Sequence, residues 1–220
     1  IDQIMKVEIL VPDTLSDITL GQYQKYLSIV EGNDDASFMD IKMIEIFCGV
    51  KLSETLKMKF ADIKAVCDIL EQMLLEKPQL VNRFKMNGVE YGFIPNLEQI
   101  SMGEFIDLET FLSDWKQMHR AMSVLYRPIA HKYGDKYNIE EYKETDGEHM
   151  RDIPMDAVFG CMLFFYSLGI DLSQAMMNYL QDQEETALMQ FPNLGGDGDG
   201  INQFTHSLRE ILQDLRISRN

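Results

Sequence analysis

Residues 82–94 read Asn-Arg-Phe-Lys-Met-Asn-Gly-Val-Glu-Tyr-Gly-Phe-Ile, two alternating runs separated by Asn87-Gly88. Asn-Gly is the preferred pair where both central residues of a two-residue turn take positive φ. The segment therefore predicts a β-hairpin closed by a type I′ turn. A lone hairpin is marginal in water, so this one must pack on helices or extend into a sheet. Two other alternating runs are the candidates to join it, Lys6–Val11 before Pro12 and Lys136–Lys143.

The rest of the chain is written with a helical period. Thr19 and Gln22 form a capping box ahead of Leu20, Tyr23, Leu27 and Val30, which recur at helical spacing. A second helix is predicted from about Phe38 to Phe47, with Met39, Met43, Ile46 and Phe47 apolar. A third runs from about Ala61 to Glu76 and ends before Pro78. Beyond the hairpin, Ser101 and Glu104 make a second capping box, and Phe105, Leu108, Phe111 and Leu112 are expected on one face. The next helix is predicted from about Trp115 to Tyr126 with Met118, Met122 and Leu125 inward, stopped at Arg127-Pro128. Ile153-Pro154 opens an apolar helix that Gly169 is expected to break, and Asp171 to Gln174 caps another. The fold class expected is α+β, predominantly α-helical, a bundle-like domain with a small antiparallel sheet. One domain is read over 1–194, then a Gly/Asp loop at 195–200, then an amphipathic helix at 201–220.

Composition sets bounds on function. The chain has 220 residues and a formal net charge of −16. That excess argues against nucleic acid and anionic membrane as partners, since both are held by cations. Cys48, Cys67 and Cys161 are far apart in apolar surroundings, the pattern of reduced, buried thiols. No basic stretch followed by an apolar run opens the chain, so no secretory signal is expected. The apolar run from Met155 to Ile170 falls short of the roughly 20 residues a bilayer span needs.

No constellation selects a chemistry. Asp197 and Asp199 invite a calcium reading, but an EF-hand would need oxygen ligands where Ile201 and Leu208 stand. A plain acidic linker is the better reading. His119, His131, His149 and His206 have no second His or Cys at ligand spacing. No nucleophile elbow and no phosphate-cradling Gly loop occurs. Neither a catalytic residue nor a cofactor or metal is expected.

The 15 methionines are more informative. Met39, Met43, Met118, Met122, Met176, Met177 and Met189 fall in helical segments. Unbranched thioethers fill irregular cores, and they also line adaptable binding grooves. Core filling is the first reading because the stripes coincide with core faces. The functional alternative is a groove for a partner's apolar helix. It would be formed by Met118 and Met122 and by Phe204, Leu208 and Leu212 of the terminal helix.

Several stretches carry a likeness: Ile18–Tyr26, Met102–Phe111, Trp115, Met118–Met122, Leu125–Ile129, Tyr142 and Met150–Met155. Over roughly residues 18–180, their order resembles small proteins encoded in the structural gene clusters of tailed bacteriophages. The resemblance implies a non-enzymatic tail or baseplate assembly factor, of the kind described as tail assembly chaperones. It implies phage tail or other virion proteins as partners and the host cytoplasm or the virion as location. A structural component kept in the particle is the alternative. The oligomeric state stays open.

Overall fold

The structure is a computed structural model describing residues 9–190; in its last helix the side chains are described to Asp171 and at Gln174. The fold is predominantly helical α+β. Four helices come first: α1 (Leu20–Val30), α2 (Ala36–Phe47), the one-turn α3 (Leu52–Thr55) and α4 (Phe60–Leu74). Strands β1 (Arg83–Met86) and β2 (Val89–Phe93) follow, then α5 (Met102–Phe111) and α6 (Met118–Leu125). Strands β3 (Tyr126–Tyr133) and β4 (Lys136–Ile139) precede the long α7 (Met155–Gln190).

The described residues divide into two units, the first ending at Gly160 and the second beginning at Cys161. The division falls inside α7, where a continuous helix leaves no linker signature in the composition, within the span 1–194 that the composition presents as one domain. Residues 161–190 continue α7 as the described part of the second unit. The Gly/Asp loop at 195–200 and the terminal helix at 201–220 lie outside the described residues, as do Lys6 to Glu8.

The hairpin forms as its turn residues require. Asn87 and Gly88 take φ of 51° and 80°, and β1 and β2 pair from Met86↔Val89 to Arg83↔Gly92. The sheet is an antiparallel meander in the order β1-β2-β3-β4. Its third strand corrects the expected helix end. The helix stops at Leu125, and Tyr126 begins a strand that pairs with β2 through Tyr91↔Pro128 and Phe93↔Tyr126. Proline lacks the N–H a ladder needs, so Pro128 concealed this inner strand. It contributes its carbonyl instead, accepting the Glu140 amide at 2.9 Å, and the register shifts just beyond it between Ile129 and His131. The Lys136–Lys143 run supplies β4, but on β3 and not on the hairpin. Of the Lys6–Val11 run, the described residues Ile9 to Val11 are irregular.

Two further expectations are corrected. Gly169 does not break α7, which runs unbroken through it and past Asp171. A glycine costs a helix interior only about 1 kcal/mol, less than a continuous helix recovers. On α5, Phe105 faces outward; Leu108 and Leu112 alone of the expected stripe are buried.

The core of the first unit centres on Tyr126, which is fully buried. Its hydroxyl donates to the Val81 carbonyl at 2.9 Å, and its ring meets Phe84 and Phe93 edge-on. Ile18, Leu20, Ile44, Leu70, Met118, Met122, Leu125 and Met150 are also wholly enclosed. The starts of α1 and α7 satisfy each other. The Leu20 amide donates to the Ile153 carbonyl and the Met155 amide to the Ile18 carbonyl, both at 2.9 Å. Each helix thereby places one otherwise unpaired first-turn donor. α7 comes so near the 79–80 backbone that a Cβ on Gly160 would sit 2.3 Å from the Gln79 carbonyl oxygen. No helix among the described residues is long and apolar enough to cross a membrane.

Candidate functional site

Where α6 meets the 146–151 segment, an open cavity of about 390 Å³ is lined mainly by charged and polar side chains, among them Lys116, His119, Arg120, Asp146, Glu148 and Arg151. Gly147 shapes it. Its φ is 67°, and an added Cβ would lie 2.9 Å from both the Arg120 Cα and the His119 carbonyl oxygen. The turn around Gly147 thus packs directly on the α6 backbone and sets Glu148 beside His119.

The hydrogen bonds of this cluster assign one protonation pattern. Gln24 donates through Nε2 to the Trp115 carbonyl at 2.6 Å and lies 3.2 Å from His119 Nδ1, while its Oε1 accepts from Arg151 at 2.6 Å. The amide nitrogen is a donor, so Nδ1 of His119 is the acceptor and the proton sits on Nε2. Nε2 faces Glu148 Oε1 at 3.3 Å. Glu148 is in turn held by Arg151 through Nε–Oε2 at 2.7 Å and Nη2–Oε1 at 3.1 Å. Burial, then the Arg151 cation, hold His119 below its ordinary 6.5, with Glu148 pulling the other way and Arg120 reinforcing the depression. The hydrogen bond from Arg151 holds the Glu148 carboxyl below its usual range. The lone pair a general base would use already points at Gln24, and the carboxylate a base would orient against already holds Arg151. This is a closed polar clamp that ties α1, α6 and the 148–152 turn together.

The thiols are equally quiet. Burial pushes Cys48 up to about 11 and Cys67 up to about 12, and it raises Cys161 as well. The described residues hold no group of three or more His, Cys, Asp or Glu able to bind a metal ion.

The residues singled out from the sequence fall differently. Met118 and Met122 are 0% exposed, so they fill the core and present no face to a partner. Helical spacing could not separate core from groove here, because both need an apolar stripe. Phe204, Leu208 and Leu212 lie outside the described residues.

An apolar face does stand open elsewhere, on α5. Met102, Phe105 and Ile106 recur at positions i, i+3 and i+4 and are 73%, 51% and 52% exposed. The helix buries Leu108 and Leu112 on its other side, so it is apolar on two faces. What turns the second face outward is Glu104. Its amide donates to the Ser101 hydroxyl at 3.3 Å, and its carboxylate takes the Ser101 amide at 2.7 Å. The same carboxylate reaches Arg127 on β3 at 2.7 Å, with side chains 7% and 12% exposed. Burial works to raise the Glu104 carboxyl, but the Ser101 bonds and the Arg127 cation outweigh it and hold the group below its ordinary 4.5. Tyr142 lies under Arg127, 5.8 Å from guanidinium to ring centre, and its hydroxyl donates to Asp107 on α5. A capping-box acid normally faces water; here it is the anchor that sets the rotation of α5. The signal available in the sequence was the two-sided apolar pattern of residues 102–112.

A second exposed apolar set, Leu52, Leu56 and Phe60, marks the corner between α3 and α4. No protein-family model, curated protein or solved structure matches the chain.

Proposed function

We propose that the chain is a non-enzymatic assembly protein of tailed bacteriophages, a tail or baseplate assembly factor that shields an apolar helical segment of a tail component until it is built in. The observation that carries this reading is the outward apolar face of α5, held rigid by the Glu104–Arg127 pair and the Tyr142–Asp107 bond. The order of motifs resembling phage structural-cluster proteins supports it. So does a charge of −16, which keeps a holder of apolar segments soluble. The closed His119 clamp, with no lone pair to spare, supports a binding role over a catalytic one. No cofactor is required by it, and its place would be the host cytoplasm during assembly, or the virion.

Magnitudes set the kind of binding. Fully burying a Met, Phe or Ile side chain contributes roughly 1.5–3 kcal/mol, and Phe105 and Ile106 are already about half covered and Met102 about a quarter. Together they give on the order of 3–4 kcal/mol, at or below the ~4–15 kcal/mol that association costs. The face can hold a segment only with help from flanking contacts and releases it readily, as a temporary holder must. Light scattering of a tail-component peptide carrying an apolar helical segment tests the proposal. Suppressed aggregation with the wild-type chain, lost in Phe105→Asp, is the expected result; unchanged aggregation refutes it.

A structural component retained in the particle is the second reading. It is favoured by the separate apolar corner at α3–α4, since lasting incorporation needs more than one contact. Mass spectrometry of purified virions separates the two: a fixed copy number supports retention, absence supports the assembly factor.

A further inference from the structure

The two exposed apolar faces carry opposite charge. At the α3–α4 corner, Leu52, Leu56 and Phe60 are 41%, 63% and 66% exposed. Lys51, Lys57 and Lys59 are exposed around them, and Lys64 lies 6.0 Å from the Phe60 ring centre. Lys57 pairs with Glu54 and Lys64 with Asp40, while Lys51 and Lys59 form no ion pair among the described residues; Asp62 is also exposed in the first turn of α4, so the corner keeps a small cationic excess. Such a concentration of cations is unexpected in a chain with 36 acids against 20 bases. The α5 face has the reverse surround. Glu109 is exposed on the same helix as Met102, Phe105 and Ile106, with Asp107 half-buried there, and Glu98 is exposed in the turn that precedes it.

Each face presents three large apolar side chains, and each has the charge the other lacks. They stand on different parts of the first unit: α3 and α4 pack on α2, whereas α5 packs on α6. Neither face pairs well with itself, because lysines would meet lysines and acids would meet acids. We propose that the cationic apolar corner of α3–α4 in one copy docks on the acidic apolar face of α5 in a second copy, a head-to-tail contact. The inference rests on the reading of α5 as a contact face and names what fills it when no tail component does. A contact between two different patches is heterologous, so it extends into a ring where the rotation closes and into a filament where it does not. Its charged surround is exposed, so the contact weakens as salt shortens the screening length from about 10 Å at 0.1 M to about 3 Å at 1 M.

The test uses the purified full chain in sedimentation velocity and light scattering. The wild type is expected to exceed the 25.5 kDa of one chain, increasingly so with concentration and less so in high salt. Leu56→Asp/Phe60→Asp blocks one face, and Phe105→Asp/Ile106→Asp blocks the other. Each variant alone is expected to be monomeric, and an equimolar mixture to form a one-to-one dimer and nothing larger, because one intact contact then remains. All four positions are exposed, and circular dichroism checks that both variants keep the fold. Reversing charge alone, by Lys57→Glu/Lys59→Glu, is expected to weaken association by roughly 10–100-fold. Adding Glu98→Lys/Glu109→Lys to that chain is expected to restore it.

A wild type still monomeric at about 100 μM, where even a weak interface would register, overturns the proposal. So does a mixture of the two blocked variants that stays monomeric. A monomeric chain retained by phosphatidylglycerol vesicles through Leu56 and Phe60 overturns it in favour of a membrane surface. None of these measurements contains a tail component, so failure here and failure of the peptide assay are separate results.

Discussion

Replacing Glu104 by alanine tests whether that side chain sets the position of α5. The change removes the carboxylate that accepts the Ser101 amide at 2.7 Å, one half of the capping box. It also removes the partner 2.7 Å from Arg127, whose side chain is 12% exposed and whose Nε already lacks a hydrogen-bond partner. Loss of a cap costs typically about 1 kcal/mol. Breaking a buried ion pair from one side costs roughly 3–5 kcal/mol, because the remaining charge is left buried. Arg127 keeps the Tyr142 ring and some solvent, which discounts the ion-pair part to about 2 kcal/mol and leaves the sum at about 3 kcal/mol. For a chain of this size each kcal/mol moves the midpoint by about 2–4 °C, so thermal unfolding should shift down by roughly 6–12 °C. The variant Glu104→Ala/Arg127→Met should recover part of that loss, since removing both partners leaves no unpaired charge. Denaturant unfolding of the single and double variants closes the cycle. A cost below about 1 kcal/mol for Glu104→Ala, or a double variant less stable than the sum of the singles, would refute the assignment of Glu104 as the anchor.

Gly160→Ala sets two effects against each other. Helix propensity favours alanine by about 1 kcal/mol, but the new Cβ would stand 2.3 Å from the Gln79 carbonyl oxygen. Overpacking costs typically 1–3 kcal/mol, so a net loss is expected in urea unfolding, and a gain would refute the close approach. The Gly147→Ala variant combines positive φ with a clash at the Arg120 Cα and should lose about 1–3 kcal/mol, while Gly88→Ala, with nothing within 4 Å, should lose only the conformational part, about 1 kcal/mol. Acidification should lower stability in two stages. His119 titrates below its ordinary 6.5 in the fold, so the unfolded chain takes up that proton first and stability falls as pH drops below 6.5. Glu104, held below 4.5, contributes stability that is present above 4.5 and lost as pH falls through its depressed value. Stability followed from pH 8 to 3 should show the upper stage flattened in His119→Asn and the lower stage reduced in Glu104→Gln. Cys48 and Cys67, raised to about 11 and about 12, should resist iodoacetamide at pH 8 in the native chain and react on unfolding, read by mass spectrometry.

Local chemistry accounts for what could be read from the residues alone. The Asn87-Gly88 turn, the capping boxes at Thr19–Gln22 and Ser101–Glu104, and the apolar stripes of α2, α4 and α6 each depend on neighbours within four residues. A turn needing positive φ or a free amide needing an acceptor imposes the same residue types in any fold. Long-range arrangement lay beyond that reach. Pro128 occupies an inner strand only because β2, β4 and the shift beside it surround it. Gly169 lies inside a helix whose continuity outweighs its local preference. Met118 and Met122 are core and not groove because α5, β3 and the 148–152 turn pack on α6, and the same spacing would serve either role. Glu104 carries the signature of a surface cap, yet Arg127, 23 residues on, draws it inward and turns Met102, Phe105 and Ile106 to the outside. Helix and turn formation were determined by the sequence at short range, where a few dihedral angles and hydrogen bonds decide. Which apolar stripe is buried and which is left open was decided by the tertiary structure, because burial depends on partners that no local pattern contains.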